Sequence, residues 1–331
     1  MTELNLQKEF FNHIRAVVPP HIALVDAIAD LLNISHDSVY RRIRGEKPIT
    51  LDELKVLCEH FNISLDQAMQ LKTSSVVFKD YEADDTNINF VQYLQGLLKQ
   101  LQYINQFENK ELLFLAKNIP PFHFFLSEEL TAFKSFFFEK SILNNPDFER
   151  KTFSLKQFDN APYFDLGKQI LNSYNCFDSV ELWNYESINS TILQIQYYRD
   201  AGIFESMEDM NSVLNACDKM LEHLQKQVEK GRKFSRGDGM DISKKASLKF
   251  YINELILGNN SIMVELNGNK MAFINHIVLK YISTADKRFA QKLFNNFHNL
   301  SGRSTLISET GERDRNKFFK VLREKVMALK K

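Results

Sequence analysis

Between Leu24 and Gly45 the chain carries two short helical patterns separated by a turn, and this pairing constrains its fold more than any other feature. In the first, Leu24, Ile28, Leu31 and Leu32 recur at helical spacing and share one face. Asn33-Ile34 forms the turn. Ser35 is placed to cap the second helix, because its hydroxyl can accept from a free backbone N–H. In that second helix Val39 and Ile43 point inward one turn apart, and Asp37, Tyr40, Arg41 and Arg44 form the opposite, outward stripe. Gly45 suits the left-handed position that ends a helix.

The flanking sequence extends the pair into a small bundle. Leu6, Phe10, Phe11, Ile14 and Val18 mark an opening helix that Pro19-Pro20 terminates. Thr50-Leu51-Asp52-Glu53 has the spacing of a capping box, and Leu54, Leu57, Cys58 and Phe61 give the next helix its apolar face. Arg41, Arg42, Arg44 and Lys47 gather at one short helix and its exit loop. A short helix buried by two residues, with Arg and Tyr on its far side, is what reading the DNA major groove requires.

Residues 24–71 resemble the helix-turn-helix domain of bacterial regulators of the phage-repressor and Xre type. Ile28-Ala29-x-x-Leu32, Ile34-Ser35, Ser38-Val39 with Gly45, Thr50-Leu51-x-x-Leu54 and Phe61-Asn62-Ile63-Ser64-Leu65-Asp66 follow one another in the family's order. The family usually has an apolar residue where Arg42 stands and a polar one where Ile43 stands. The resemblance implies binding of double-stranded operator DNA, usually as a homodimer. By position, His36, Asp37 and Arg41 would read base edges, with Ser38, Arg44 and Lys47 nearer the backbone. Tyr40 and Arg42 join them in the expected DNA-binding set.

The whole chain narrows the alternatives. Lysine plus arginine balance aspartate plus glutamate at 42 each, so attraction to DNA must come from a local patch. No apolar run approaches the roughly 18 residues of a membrane span, and no secretory signal is evident. Three scattered cysteines, Cys58, Cys176 and Cys217, fit reduced thiols in a cytoplasm. The eight histidines lack metal-ligand spacing, and neither a nucleophile elbow nor a dinucleotide fingerprint is present. The expectation is therefore a cytoplasmic non-enzyme with no cofactor and no metal.

Beyond the first bundle, residues 73–86 read as a linker containing the acidic run 80–85, which would be repelled by phosphate. Phe90, Leu94, Leu97, Leu98, Leu101 and Ile104 trace an amphipathic helix, while Leu112–Ala116 fits a strand or a buried helix equally. Seven phenylalanines between Phe122 and Phe138 predict a helix buried on both faces. Helices are expected around 163–172, 190–199 and 206–230, and residues 235–241 as a surface loop. A hairpin is expected about Asn267-Gly268, preceded by a strand at 255–257. The basic excess of the last helix reads as ordinary helix chemistry rather than a second DNA surface.

The resulting fold expectation is mainly α. A five-helix helix-turn-helix bundle at 1–72 and the linker precede a mostly helical region at 87–331, ending in a small α+β unit with an antiparallel β-hairpin. The functional expectation is a sequence-specific transcriptional regulator whose C-terminal region dimerises and leaves room for a small-molecule effector. The competing reading is an enzyme or small-molecule-binding protein with an appended helix-turn-helix head.

Overall fold

The computed structural model describes residues 6–18, 23–69, 76–80, 89–235, 245–255, 258–277 and 280–330. The chain divides into two compact units, Met1–Phe78 and Lys79–Lys331, so the division falls inside the segment read as a linker.

The first unit contains the helices α1 (Leu6–Val17), α2 (Leu24–Leu32), α3 (His36–Ile43), α4 (Leu51–His60) and α5 (Leu65–Ala68). Its core is built from Phe10, Phe11 and Ile14 of α1, Ile28 and Ala29 of α2, Val39 of α3 and Leu54 and Leu57 of α4. The turn between α2 and α3 depends on Asn33, whose φ of 50° is left-handed. Asparagine tolerates that conformation better than most residues. Ser35 caps α3 by accepting from the Ser38 N–H, and Thr50 with Glu53 completes both halves of the capping box on α4.

The second unit is organised around an eight-stranded mixed sheet, which overturns the expectation of a mainly α chain with one hairpin. The strands are β1 (Lys79–Asp80), β2 (Lys110–Ala116), β3 (Asp178–Trp183), β4 (Leu248–Ile252), β5 (Ser261–Leu266), β6 (Asn269–Ile277), β7 (Lys280–Thr284) and β8 (Thr305–Leu306). Their order across the sheet is β1-β7-β6-β5-β2-β3-β4-β8. Among the described strands only β2, β3 and β4 run parallel to each other, in register from Leu113↔Val180 to Val180↔Lys249. Parallel strands need long crossovers, and these carry the helices.

Between β2 and β3 lie a 3-10 turn (Pro121–Leu126), α7 (Glu128–Phe137) and α8 (Ala161–Tyr174). Between β3 and β4 lie α9 (Asn189–Asp200) and α10 (Met207–Lys230). Ahead of β2 runs α6 (Phe90–Asn105), and α11 (Lys287–Ser301) and α12 (Glu312–Met327) flank β8. One core joins Leu112 and Phe114 of β2, Trp183 of β3 and Phe250 of β4 to α6, α7, α8, α10 and α12. Alternate residues of the same strands, Leu113, Leu115, Val180 and Leu182, face the other way and pack under Phe294 and Phe297 of α11. The central strands are thus buried on both faces.

The Asn267-Gly268 hairpin is present, with φ of 48° and 83°, the two positive values that a tight two-residue turn needs. It is no isolated unit, since β5 pairs with β2 from Lys110 to Leu115. The strand that precedes it is β4, not the expected 255–257, of which Ile256 and Leu257 lie outside the described residues. The phenylalanine-rich segment does bury both faces, with every residue from Leu130 to Phe137 buried. Gly167, in the interior of α8, lets that helix meet the 3-10 turn. A Cβ there would lie 2.4 Å from Phe125 Cδ1. Among the described residues no helix is long and apolar enough to cross a membrane.

Candidate functional site

The local chemistry of α3 turns its outward stripe to solvent. His36, Asp37, Tyr40, Arg41, Arg44 and Lys47 are exposed, and Ser38 is half-buried beside the Ser35 cap. Tyr40 keeps 47% of its surface exposed. The Arg44 guanidinium lies 5.9 Å from its ring centroid, and Arg44 Nη1 lies 3.6 Å from Glu46 Oε1. At the other end of the helix His36 Nε2 lies 3.4 Å from Asp26 Oδ1 of α2. The backbone then closes in the pattern that a left-handed glycine permits. The N–H of Glu46 donates to the Arg41 carbonyl and that of Gly45, φ 75°, to the Arg42 carbonyl.

Arg42 does not belong to the outward-facing set, which corrects its place in the expected DNA-binding set. It is 4% exposed, on the inward face next to Val39. Its Nη2 and Nε donate to the two Glu53 carboxylate oxygens at 2.6 and 3.2 Å, and its Nη1 donates to the Ser38 carbonyl at 3.2 Å. The planar fork of arginine suits this two-point grip, and its aliphatic stem takes the volume of an apolar side chain. This is how the departure from the family pattern at Arg42 is accommodated. The hydrogen bonds from Arg42 outweigh the effect of burial and hold the Glu53 carboxyl below its ordinary range. Gln7 of α1 ties down the exit loop. Its Nε2 donates to the Arg42 and Lys47 carbonyls, each at 2.7 Å, and its Oε1 accepts from the Ile49 N–H at 3.0 Å.

In the second unit the carboxyl ends of the parallel strands are where α/β folds keep ligands. Here that edge is occupied by its own loops. Ser187 Oγ donates to the Ala116 carbonyl, Asn184 Nδ2 to that of Leu255, and Asn260 Oδ1 accepts from the Asn118 N–H. A cavity of about 350 Å³ lies elsewhere, beside the N-termini of α7 and α8, lined by Glu128, Glu129, Asp159 and Asn160 among others. Two of its polar groups serve local structure, with Asp159 Oδ1 accepting from the Ala161 N–H and Asn160 Nδ2 donating to the Glu128 carbonyl. Among the described residues no group of three or more acidic, histidine or cysteine side chains could hold a metal ion.

The heart of this unit holds an enclosed polar cluster. Glu181 of β3, fully buried, accepts from Trp183 Nε1 at 2.7 Å and from the Tyr174 hydroxyl, and both its oxygens lie 3.1 Å from His123 Nε2. Lys233 Nζ, also buried, donates to the Tyr174 and Phe177 carbonyls and sits 3.5 Å from the Tyr174 ring centroid. In a second enclosed position Lys134 Nζ donates to Thr191 Oγ1 at 2.8 Å and Gln194 Oε1 at 2.7 Å. Burial pushes both lysines down to about 7. Such lysines accompany catalysis where a substrate can reach them. Both lysines, Glu181 and its partners are 3% exposed or less, and their polar atoms bond to one another and to the core around them.

The displaced lysines make stability depend on pH in a set direction. Between about 7 and their ordinary value of 10.5 the unfolded chain binds more protons than the folded one, so stability rises with pH through that window. Lys134→Met is expected to raise stability at pH 7 and to flatten the rise, because a buried ammonium is exchanged for an apolar chain of similar length. Urea unfolding at pH 7 and pH 10 measures both effects. An unchanged rise would mean that Lys134 folds in its charged form.

The basic C-terminal helix is largely engaged within its own unit. Arg323 makes a two-point pair with Asp218 of α10, Arg315 donates to the Ile307 and Thr310 carbonyls, and Lys325 donates to that of Tyr185. Past Ser235, the expected surface loop at 235–241 lies outside the described residues.

Sequence reasoning did not single out Gln7 or Glu53 as partners of α3, nor the cluster around Glu181. The inward register of Arg42 was a signal for the first, since a cation on a buried face demands an acid nearby. For Glu181 the signal was a lone carboxylate within Val180–Trp183, but only the fold supplies its donors. The chain matches no known family model, and neither a curated protein nor a solved structure was found to be similar to it.

Proposed function

We propose that the protein is a cytoplasmic, sequence-specific DNA-binding transcriptional regulator, with α3 as the reading helix. The observation that carries this reading is the division of α3 into two faces. Val39 and Arg42 anchor it inward, while Asp37, Tyr40, Arg41 and Arg44 stay exposed with no structural task large enough to explain them together. His36, Ser38 and Lys47 complete the contact set, and the larger unit acts as a dimerisation and effector-binding region. One head covers only a few base pairs, so two heads would address half-sites one DNA turn, about 34 Å, apart.

Selecting bound sites from a random duplex library with the full chain tests the reading, with an inverted repeat as the expected product. Arg41→Ala should then relax preference at one position of each half-site, worth about 1–3 kcal/mol of discrimination if the arginine pairs with a guanine edge. Equal weakening on all sequences would assign Arg41 to phosphate instead. A library that yields no enriched site would overturn the function.

A further inference from the structure

We infer that Gln7, in the first helix and outside the helix-turn-helix pair, is a positioning residue that sets where the exit loop of α3 presents Arg44 and Lys47 to the DNA backbone. The inference rests on the proposed reading of α3 as the DNA-facing helix. The loop from Arg44 to Ile49 leaves α3 through a left-handed glycine and enters α4 through the Thr50 cap. Between those fixed ends Glu46, Lys47 and Pro48 are exposed. Gln7 meets two groups of this stretch and one of α3 at once. It accepts from the Ile49 N–H at 3.0 Å and donates at 2.7 Å to the carbonyls of Arg42 and Lys47. Two carbonyl acceptors and one N–H donor also settle which way the amide faces, since a flipped amide would set oxygen against both carbonyls.

The arrangement matches a clamp better than a core contact. Gln7 is half-buried, and what it holds is backbone rather than side chain. Without it, Ile49 N–H and Lys47 C=O turn to water, and the loop keeps the bonds of its Glu46 and Lys47 N–H groups to the Arg41 carbonyl but loses its tie to α1. A lysine on a loose loop still attracts phosphate, but it holds no fixed register on the duplex, and it is fixed phosphate contacts that orient a reading helix. The Arg42–Glu53 pair fixes the helix itself, and Gln7 fixes the loop that leaves it.

The test uses the full chain with Gln7→Leu, which keeps bulk and removes all three hydrogen bonds. Without DNA, the Ile49 amide should exchange with solvent much faster in the variant while the amides of Val39 and Leu57 stay protected. On duplex DNA, affinity should fall roughly tenfold on every sequence. The slope of log affinity against log salt should be shallower by about 1–2, base preference being kept. A purely structural role would lower stability and leave the slope as it was. Unchanged Ile49 exchange, or an unchanged slope, overturns the inference while leaving the DNA reading standing. A wild-type chain that binds no duplex removes that reading first, and the inference with it. Should Gln7→Leu fail to fold, Lys47→Gln reads the same contact without touching the clamp. Its slope should be shallower by about 0.9, and no change would overturn the placement of Lys47 on phosphate.

Discussion

Replacing Glu181 with alanine is expected to lower the stability of the larger unit by about 3–5 kcal/mol, as removal of one partner from a buried ionic network does. His123, Tyr174 and Trp183 would each lose the acceptor they share, and each is 0–2% exposed, so water cannot replace it. The vacated volume sits between Phe114 and Phe250, the neighbours of Glu181 across the sheet, and adds a cavity cost. Trp183 is the single tryptophan of the chain and touches Glu181 directly, so its fluorescence during urea unfolding reports the change. A loss below about 1 kcal/mol would mean that the network contributes little to stability.

The same carboxylate sets a pH dependence. Burial pushes the Glu181 carboxyl up, but the His123 imidazole and the hydrogen bonds from His123, Tyr174 and Trp183 outweigh it and hold the group below its ordinary 4.5. The folded chain thus stays ionised where the unfolded chain takes up a proton. The stabilisation is complete above 4.5 and is lost as pH falls through the lower folded value. In Glu181→Ala this acid limb should be shallower than in the parent.

In the first unit Glu53→Ala should be the most damaging single change near α3. It strands the Arg42 guanidinium, 5% exposed, and removes half of the α4 cap. Loss of a buried partner costs about 3 kcal/mol and a helix cap about 1 kcal/mol. Arg42→Met should cost far less, because the Glu53 side chain is 19% exposed and can turn to water. Hydrogen exchange at the α3 and α4 amides measures the two variants side by side. Equal damage would show that the packing of the arginine stem, and not the pair, holds α3. Acid again weakens the contact. The Glu53 carboxyl lies below 4.5 chiefly through its hydrogen bonds from Arg42, so its contribution is full above that value and fades as pH falls through the folded one.

Local signals located the elements of the first unit well because they act within a few residues. The turn at Asn33, the cap at Ser35, the box of Thr50 and Glu53 and the left-handed Gly45 all stand in the structure. The hairpin turn at Asn267-Gly268 belongs to the same class. Arg42 shows where that reasoning stops. Its place among Arg41, Arg44 and Lys47 puts it in the expected DNA-binding set, whereas its partner lies eleven positions onward in another helix.

The parallel strands show the same boundary on a larger scale. Asp178–Trp183 and Leu248–Ile252 were not expected as strands, because alternation of apolar with polar residues is too short in each to stand out, and Glu181 makes the first look solvent-facing. The first is buried on both faces, and the second through Leu248, Phe250 and Ile252 on one, because helices from distant parts of the chain cover the sheet, and β5 reaches β2 across more than a hundred residues. The sequence by itself determined the short-range geometry: where helices start and stop, how the tight turns close, and which side chains α3 exposes. Only the tertiary structure decided that a hairpin read as part of a small α+β unit joins an eight-stranded sheet, that Glu181 is ringed by donors, and that Gln7 holds the loop after α3. The physical reason is one of range. Caps and turns are satisfied by neighbours in the chain, whereas a buried charge or a central strand is satisfied by whatever the fold brings to it.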